Sequence, residues 1–152
     1  MNKKKLQIEQ LNFKLKGFTA TQKIPVPSTG WLKAIRVSLG MTLQQLGDKL
    51  TITKQSVQEI ELREKEGSIT LKNLREAANS LDMQLVYGFV PKDGSIEALI
   101  DRKARELATR IVSRTSNTMK LEGQENTKQR LKQAIEERTT LIKNELPKML
   151  WD

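Results

Sequence analysis

The chain has 152 residues, and its 27 Lys and Arg against 18 Asp and Glu give a formal charge of +9. This length accommodates one compact domain, or a small domain with an extension, and the positive charge favours a polyanionic partner. The chain has no Cys and no His, which excludes disulfides, thiol nucleophiles, His-based proton transfer and the usual zinc or iron ligands.

The same sequence favours a cytoplasmic protein. No apolar run approaches the ~20 residues that span a bilayer, and the first residues lack the apolar core of a secretory signal. We therefore expect no membrane partner. Without His or Cys we also expect no metal site, no cofactor and no enzymatic activity.

Residues 1–23 combine apolar residues at helical spacing with six Lys and one Glu. The apolar residues are Leu6, Leu11, Leu15 and Phe18. This pattern predicts a basic amphipathic helix. Its charge is consistent with contacts to nucleic-acid phosphates and equally with a solvated basic tail.

Residues 24–30 predict a linker, because the two prolines in this segment lack a backbone donor and disfavour helix in the residue before them. A first core helix is then predicted from Trp31, and Gly40 ends it. The core domain therefore starts at residue 31.

Two short helices follow, with a sharp turn between them. In the first helix Leu43, Leu46 and Leu50 recur at spacings of three and four, which places one apolar stripe on the helix. Thr42 precedes them as the N-cap, and Gln45 completes the pattern of a capping box.

Thr53 opens the second helix in the same way, and Val57 and Ile60 lie on one side of it. The polar residues that point elsewhere are Lys54, Gln55, Ser56, Gln58 and Glu59. Two capped helices at a sharp turn match the helix-turn-helix that reads the DNA major groove, with a recognition helix at about residues 53–63. A helical hairpin in any all-helical protein would show the same local features.

One short β-strand is predicted after the next helix, which Thr70 caps. Residues 83–90 are apolar on both sides of an alternating pattern and are bounded by Pro91. A lone strand leaves its backbone groups unpaired, and the simplest partner is the same strand of a second subunit across a two-fold axis. We therefore expect a homodimer. Its expected interface residues are Leu85, Val86, Tyr87 and Phe89.

Two further helices are predicted within residues 92–152. One apolar face recurs from Ile96 to Val112, and a second long helix is defined by apolar residues that start at Leu131 and is ended by Pro147. These helices are consistent with completing the fold, with dimerisation, or with binding another protein.

Several residues of the core together resemble the Cro/repressor-like family of helix-turn-helix regulators. They are Arg36, Gly40-Met41-Thr42, Leu46, Lys49-Leu50, Thr53 through Val57, and Ile60-Glu61. More narrowly, the chain resembles the mobile mystery protein A family over nearly its whole length. The stretches that carry this resemblance are GWLKAIR, LGMT, LREAANSLD, LVYGFVP, MKLE and the terminal LW. This narrower resemblance implies a Fic-domain partner protein, typically encoded beside the chain on mobile DNA.

The family resemblance also implies roles for single residues. Arg36 matches the family position that pairs with Glu61, which would fix the first helix against the recognition helix. Leu43 stands where Gln often reaches a phosphate, so Gln44 is a substitute candidate for that contact.

Two positions depart from the family pattern at the ends of the paired helices. Thr51 stands where the turn usually has Gly, and a β-branched residue in a left-handed conformation costs on the order of 1 kcal/mol. The turn is therefore expected to differ in shape. Arg63 stands where Gly is common, and it is expected to alter the helix end or to contact the DNA backbone.

Together these features predict an all-α chain with a Cro/repressor-like helix-turn-helix core, one short strand and additional helices at both ends. The predicted domains are 1–23, 24–30, 31–91 and 92–152. The expected function is that of a dimeric, sequence-specific regulator of transcription that binds double-stranded DNA. The predicted DNA-contacting residues are Thr42, Gln44, Thr53, Lys54, Gln55, Ser56, Gln58, Glu59 and Arg63. The alternative is an antitoxin-like protein that neutralises a Fic-domain partner, with or without DNA binding.

Overall fold

The computed structural model describes residues 3–119 and 127–152, and its regular elements over these residues are all helical. The α-helices are α1 (Lys3–Lys16), α2 (Trp31–Ser38), α3 (Leu43–Leu50), α4 (Lys54–Glu66), α5 (Leu71–Ser80), α6 (Ile96–Met119) and α7 (Thr127–Glu145). Short 3-10 helices lie at Thr19–Lys23 and Lys148–Trp151. The predicted all-α class is confirmed. The MKLE stretch, residues 119–122, lies mostly outside the described residues.

The chain divides into two compact units. Ala20–Gly88 forms one unit, which contains α2 to α5. The chain on either side of it forms the other, which contains α1, α6 and α7. No α-helix in residues 3–119 or 127–152 is both long and apolar enough to cross a membrane.

The core of the first unit is built from the apolar stripes that the sequence places on its helices. Its buried members are Leu32, Leu46, Val57, Ala77 and Leu81. Leu46 and Val57 are each 1% exposed, and Leu43 and Leu50 pack against this cluster at its edge. Burying these side chains, rather than the intrinsic propensity of such short helices, stabilises α2 to α5.

Threonine side chains begin three of these helices. The Thr42 hydroxyl accepts a hydrogen bond from the backbone N–H of Gln45 (3.1 Å), and the Gln45 side chain accepts one from the Thr42 N–H (2.9 Å). Thr53 and Thr70 cap α4 and α5 in the same way. The predicted capping box and caps are therefore confirmed, and they satisfy backbone donors that a helix start otherwise leaves unpaired.

The turn between α3 and α4 is tight because Thr51 adopts the left-handed conformation, with φ 60° and ψ 42°. The chain then passes so close to α3 that a Cβ on Gly47 would lie 2.7 Å from the backbone oxygen of Ile52. The backbone N–H of Ile52 donates to the Gly47 oxygen at 2.9 Å. The expectation of a different turn shape is thus wrong, since Thr51 takes the strained conformation and the absence of a side chain at Gly47 makes room for it.

We predict that Thr51→Gly stabilises the protein by about 0.5–1 kcal/mol. Relief of a left-handed strain of ~1–2 kcal/mol exceeds the ~0.4–1 kcal/mol that the greater freedom of glycine costs through the unfolded state. Gly40 offers a matched reciprocal change, because its φ is +67° and an added Cβ would meet no atom within 4 Å. Gly40→Thr should therefore destabilise by a similar amount. Urea unfolding of both variants measures the two effects, and a Thr51→Gly protein of lower stability contradicts the strain argument.

The predicted strand over residues 83–90 is wrong, because this segment has no regular secondary structure and the described residues contain no strand. The chain leaves α5 through a left-handed Asp82 (φ 55°), after which the Met83 N–H donates to the Ala78 oxygen at 2.9 Å. Beyond Met83, Arg75 holds the segment locally by donating to the Tyr87 hydroxyl at 3.2 Å. An apolar alternating pattern becomes a strand only when another extended segment supplies its hydrogen-bond partners.

The second unit is organised around the antiparallel hairpin of α6 and α7. The buried members of its apolar cluster are Ala104, Leu107, Ala108, Ile142 and Leu150. Ala104 and Ala108 lie one turn apart with no exposed surface, and their small side chains let the neighbouring elements approach closely. Leu150, in the 3-10 helix, is 2% exposed and belongs to the same cluster, so the chain end after Pro147 completes this core.

The predicted amino-terminal helix forms, but it buries none of its side chains. Phe13 is 81% exposed and Leu11 is 48% exposed. A hydrogen bond ties α1 to its own unit, because the Asn12 side-chain oxygen accepts from the backbone N–H of Ile96 at 2.9 Å. This bond satisfies a donor in the first turn of α6 and so acts as a cap supplied from a distant part of the sequence.

Candidate nucleic-acid interface

The outward face of α4 presents a row of polar side chains. Lys54, Gln55, Gln58 and Glu59 are exposed, whereas Val57 is buried in the core. Thr53, Thr42, Gln44 and Arg63 are exposed as well, and Ser56 is half-buried. The Ser56 backbone N–H donates to the Thr53 hydroxyl at 3.1 Å, and that hydroxyl donates to the Ser56 hydroxyl at 3.0 Å.

Some of these polar groups already have partners. Gln44 donates to Asp48 at 2.9 Å, and Arg63 lies 3.7 Å from Glu59 one helical turn away. Among the described residues, Gln55 makes no side-chain hydrogen bond or ion pair, and neither do Lys54 and Gln58. These three side chains leave donors and acceptors at the amino-terminal half of α4 for an external ligand.

A buried ion pair joins α4 to α2. Arg36 Nε donates to Glu61 Oε2 at 2.7 Å, and Arg36 Nη2 donates to Glu61 Oε1 at 3.1 Å. The remaining terminal nitrogen of Arg36 donates to the backbone oxygen of Met41 at 3.0 Å. The two side chains are only 9% and 6% exposed. In this buried environment a misaligned pair would leave a charge without its partner, so the bidentate geometry fixes the position of α4.

A second carboxylate of α4 caps the start of α2. Glu64 Oε1 accepts a hydrogen bond from the backbone N–H of Leu32 at 2.8 Å. The N-cap position itself is Gly30, which has no side chain to do this, and its φ of +86° favours glycine. A Cβ at Gly30 would lie 2.9 Å from the same Glu64 oxygen.

Sequence reasoning missed Glu64, because its segment reads as a polar connector. Two signals together indicate its role. Gly30 precedes α2 without offering a capping side chain, and Glu64 follows Glu61 by three residues and therefore lies on the same face of α4. With both carboxylates engaged, α4 contacts α2 at two points one helical turn apart.

The family comparison agrees with this geometry. Residues 32–87 match the family model described as helix-turn-helix, and this match covers α2 to α5 and the segment after them. No curated protein and no solved structure matches the chain. The chain therefore carries a helix-turn-helix domain, which supports a DNA-binding regulator in general. The mobile mystery protein A resemblance and the Fic-domain partner stay predictions.

We predict that Glu61→Leu destabilises the domain by about 3–5 kcal/mol, because it leaves the Arg36 guanidinium buried without its counter-charge. The double variant Arg36→Met/Glu61→Leu should recover most of this loss, since well-packed apolar side chains replace a buried ion pair at little cost. Urea unfolding of the two single variants and the double variant gives the coupling energy directly. Additive losses in the double variant would contradict the pairing.

Proposed function

We propose that the protein is a sequence-specific DNA-binding regulator of transcription that acts as a dimer and inserts α4 into the major groove. The observation that carries the proposal is the polar face of α4, held on a buried ion pair and presented after a tight turn. In a helix-turn-helix the amino-terminal residues of the second helix contact base edges, while the first helix crosses the backbone.

Gln55 is the proposed base-reading residue. Its exposed amide carries a donor and an acceptor side by side, which match N7 and the N6 amino group of adenine in the major groove. Lys54, the first residue of α4, would donate to guanine or to a phosphate. Glu59 would accept from the amino group of cytosine, with Arg63 nearby to offset its charge.

Thr42, the N-cap of α3, and Gln44 within α3 are proposed to contact the phosphate backbone of the DNA. At the start of α3 the capping box leaves the backbone N–H groups of Leu43 and Gln44 without an acceptor among the described residues, and these donors, with the partial positive charge of a helix start, suit a phosphate. Thr42 is exposed at that position. Such contacts position the protein on the duplex, whereas the α4 side chains specify the sequence.

We predict that Gln55→Ala lowers discrimination at one base position by ~1–3 kcal/mol, which is the value of a bidentate amide–adenine contact. Fluorescence anisotropy with the preferred duplex and its single-base variants measures this loss. Gln22→Ala is a matched control, because Gln22 is exposed as well but lies before α2 and outside the segment 83–90.

An unchanged preference at every base position in Gln55→Ala would contradict the role of Gln55. A wild-type protein that binds all duplexes equally would contradict sequence-specific regulation as a whole. The preferred duplex itself comes from selection on a random pool with the wild-type protein, before any variant is tested.

The dimer is proposed to form through the apolar segment 83–90. Val86 is 68% exposed, Tyr87 52% and Phe89 78%. None of the backbone N–H groups of residues 84–90 has an acceptor among the described residues. Exposed apolar side chains beside a free row of backbone groups are what a second copy of the segment would cover, together with Leu85. Two α4 helices would then read two half-sites.

We predict that Val86→Pro gives a folded monomer with weakened operator binding. Proline removes the Val86 N–H, which has no acceptor among the described residues, so the helical core should not depend on it. Sedimentation and circular dichroism at micromolar concentration report assembly and helix content. Val86→Thr, which keeps the N–H and the β-branched shape, serves as the control and should remain dimeric. An intact Val86→Pro dimer contradicts this interface.

A further inference from the structure

Charge is segregated along the hairpin of α6 and α7. The open end of the hairpin is the half where α6 begins and α7 ends, residues 96–106 and 136–145. It contains six acidic and five basic residues. The closed end is the half where α6 ends and α7 begins, residues 107–119 and 127–135. It contains no acidic residue and five basic ones. These five residues, called the basic tip, are Arg110, Arg114, Lys128, Arg130 and Lys132.

Ion pairs join the two helices near the open end. Lys143 lies 3.0 Å from Asp101, and its hydrogen bond to that carboxylate lowers the pKa of Asp101. Arg105 pairs with Glu136 across the same two helices. Both contacts fix the antiparallel register, so the part of α6 beyond Arg105 lies alongside the part of α7 before Glu136.

Each residue of the basic tip has an exposed side chain and no ion pair with a described residue. Arg110 and Arg114 are one helical turn apart on α6, and Lys128 and Lys132 have the same spacing on α7. Like charges at this spacing repel one another. Counting also the one Lys and two Glu of residues 120–126, the region from 107 to 135 keeps six basic residues against two acidic ones.

We propose that the basic tip binds the phosphate backbone of double-stranded DNA without reading its sequence. This inference rests on the proposed function. Residues 24–91, which include the helix-turn-helix, have eight Lys and Arg against seven Asp and Glu, so they are nearly neutral. Phosphate contacts supply nearly all of the non-specific affinity of DNA-binding proteins and a large share of their specific affinity. The chain therefore needs a source of positive charge outside that domain.

The tip suits this role better than the lysines of α1. Its two helices are joined by a buried core that includes Leu107 and Ala108 at the start of the tip half of α6. The α1 helix buries no side chain. Charges held on a packed hairpin lose less conformational freedom on binding than charges on a loosely attached helix.

The test replaces three tip residues together, as Arg114→Gln, Arg130→Gln and Lys132→Gln, in the full chain. Glutamine keeps similar helix propensity and length while removing the charge. The slope of log K against log salt for the preferred duplex should fall in magnitude by up to ~2.7 for each bound subunit, because each lost phosphate contact is worth ~0.9. The ranking of single-base duplex variants should not change.

The matched control removes three charges from other exposed positions, as Lys23→Gln, Lys92→Gln and Lys148→Gln. Its salt slope should stay close to that of the wild type. An equal loss in the control overturns the proposal, since net charge rather than the tip would then matter. An unchanged salt slope in the tip variant also overturns the proposal. So does a wild-type protein whose tip residues are needed for binding to anionic vesicles but not for binding to duplex DNA.

The same measurements separate this proposal from the proposed function. If Gln55→Ala loses base discrimination while the tip variant keeps its salt slope, only the tip proposal fails. If the wild type shows no preferred sequence but the tip variant loses slope on random duplex, sequence-specific regulation fails and the tip remains a phosphate contact. Circular dichroism of each variant verifies that the hairpin is folded.

Discussion

The buried pair of Arg36 and Glu61 is the contact on which the arrangement of the helix-turn-helix depends. One guanidinium reaches the carboxylate of α4 through two hydrogen bonds and the chain between α2 and α3 through a third. A planar fork meeting a planar carboxylate tolerates little rotation, so the pair determines how α4 lies on α2. The desolvation cost makes it a poor source of net stability and a good source of specificity for one arrangement.

The rest of the domain accommodates this arrangement at the cost of local backbone preferences. Thr51 accepts a left-handed conformation that closes the turn, and Gly47 leaves space for the returning chain. Gly30 accepts a positive φ so that the Glu64 carboxylate reaches the start of α2. Such strain persists only where surrounding contacts outweigh it, and the strained Thr51 lies between the two helices proposed to meet DNA.

In the proposed complex, recognition and general affinity come from different parts of the chain. A nearly neutral recognition domain gains little from non-specific attraction, so its base contacts make a larger share of its own binding energy. Positive charge outside that domain then supplies the salt-dependent affinity for phosphates, which is the same for every duplex sequence. Separating the two roles lets one surface change sequence preference without changing the strength of non-specific binding.

The sequence by itself determined the features that depend on neighbouring residues. The leucine spacing and the threonine caps of α3 and α4 are local, and both are present as expected. Only the tertiary structure decided the Glu64 cap, which joins residues 32 positions apart, and the left-handed turn at Thr51. It also decided that residues 83–90 form no strand within one chain, because a strand requires a partner that no local pattern can specify.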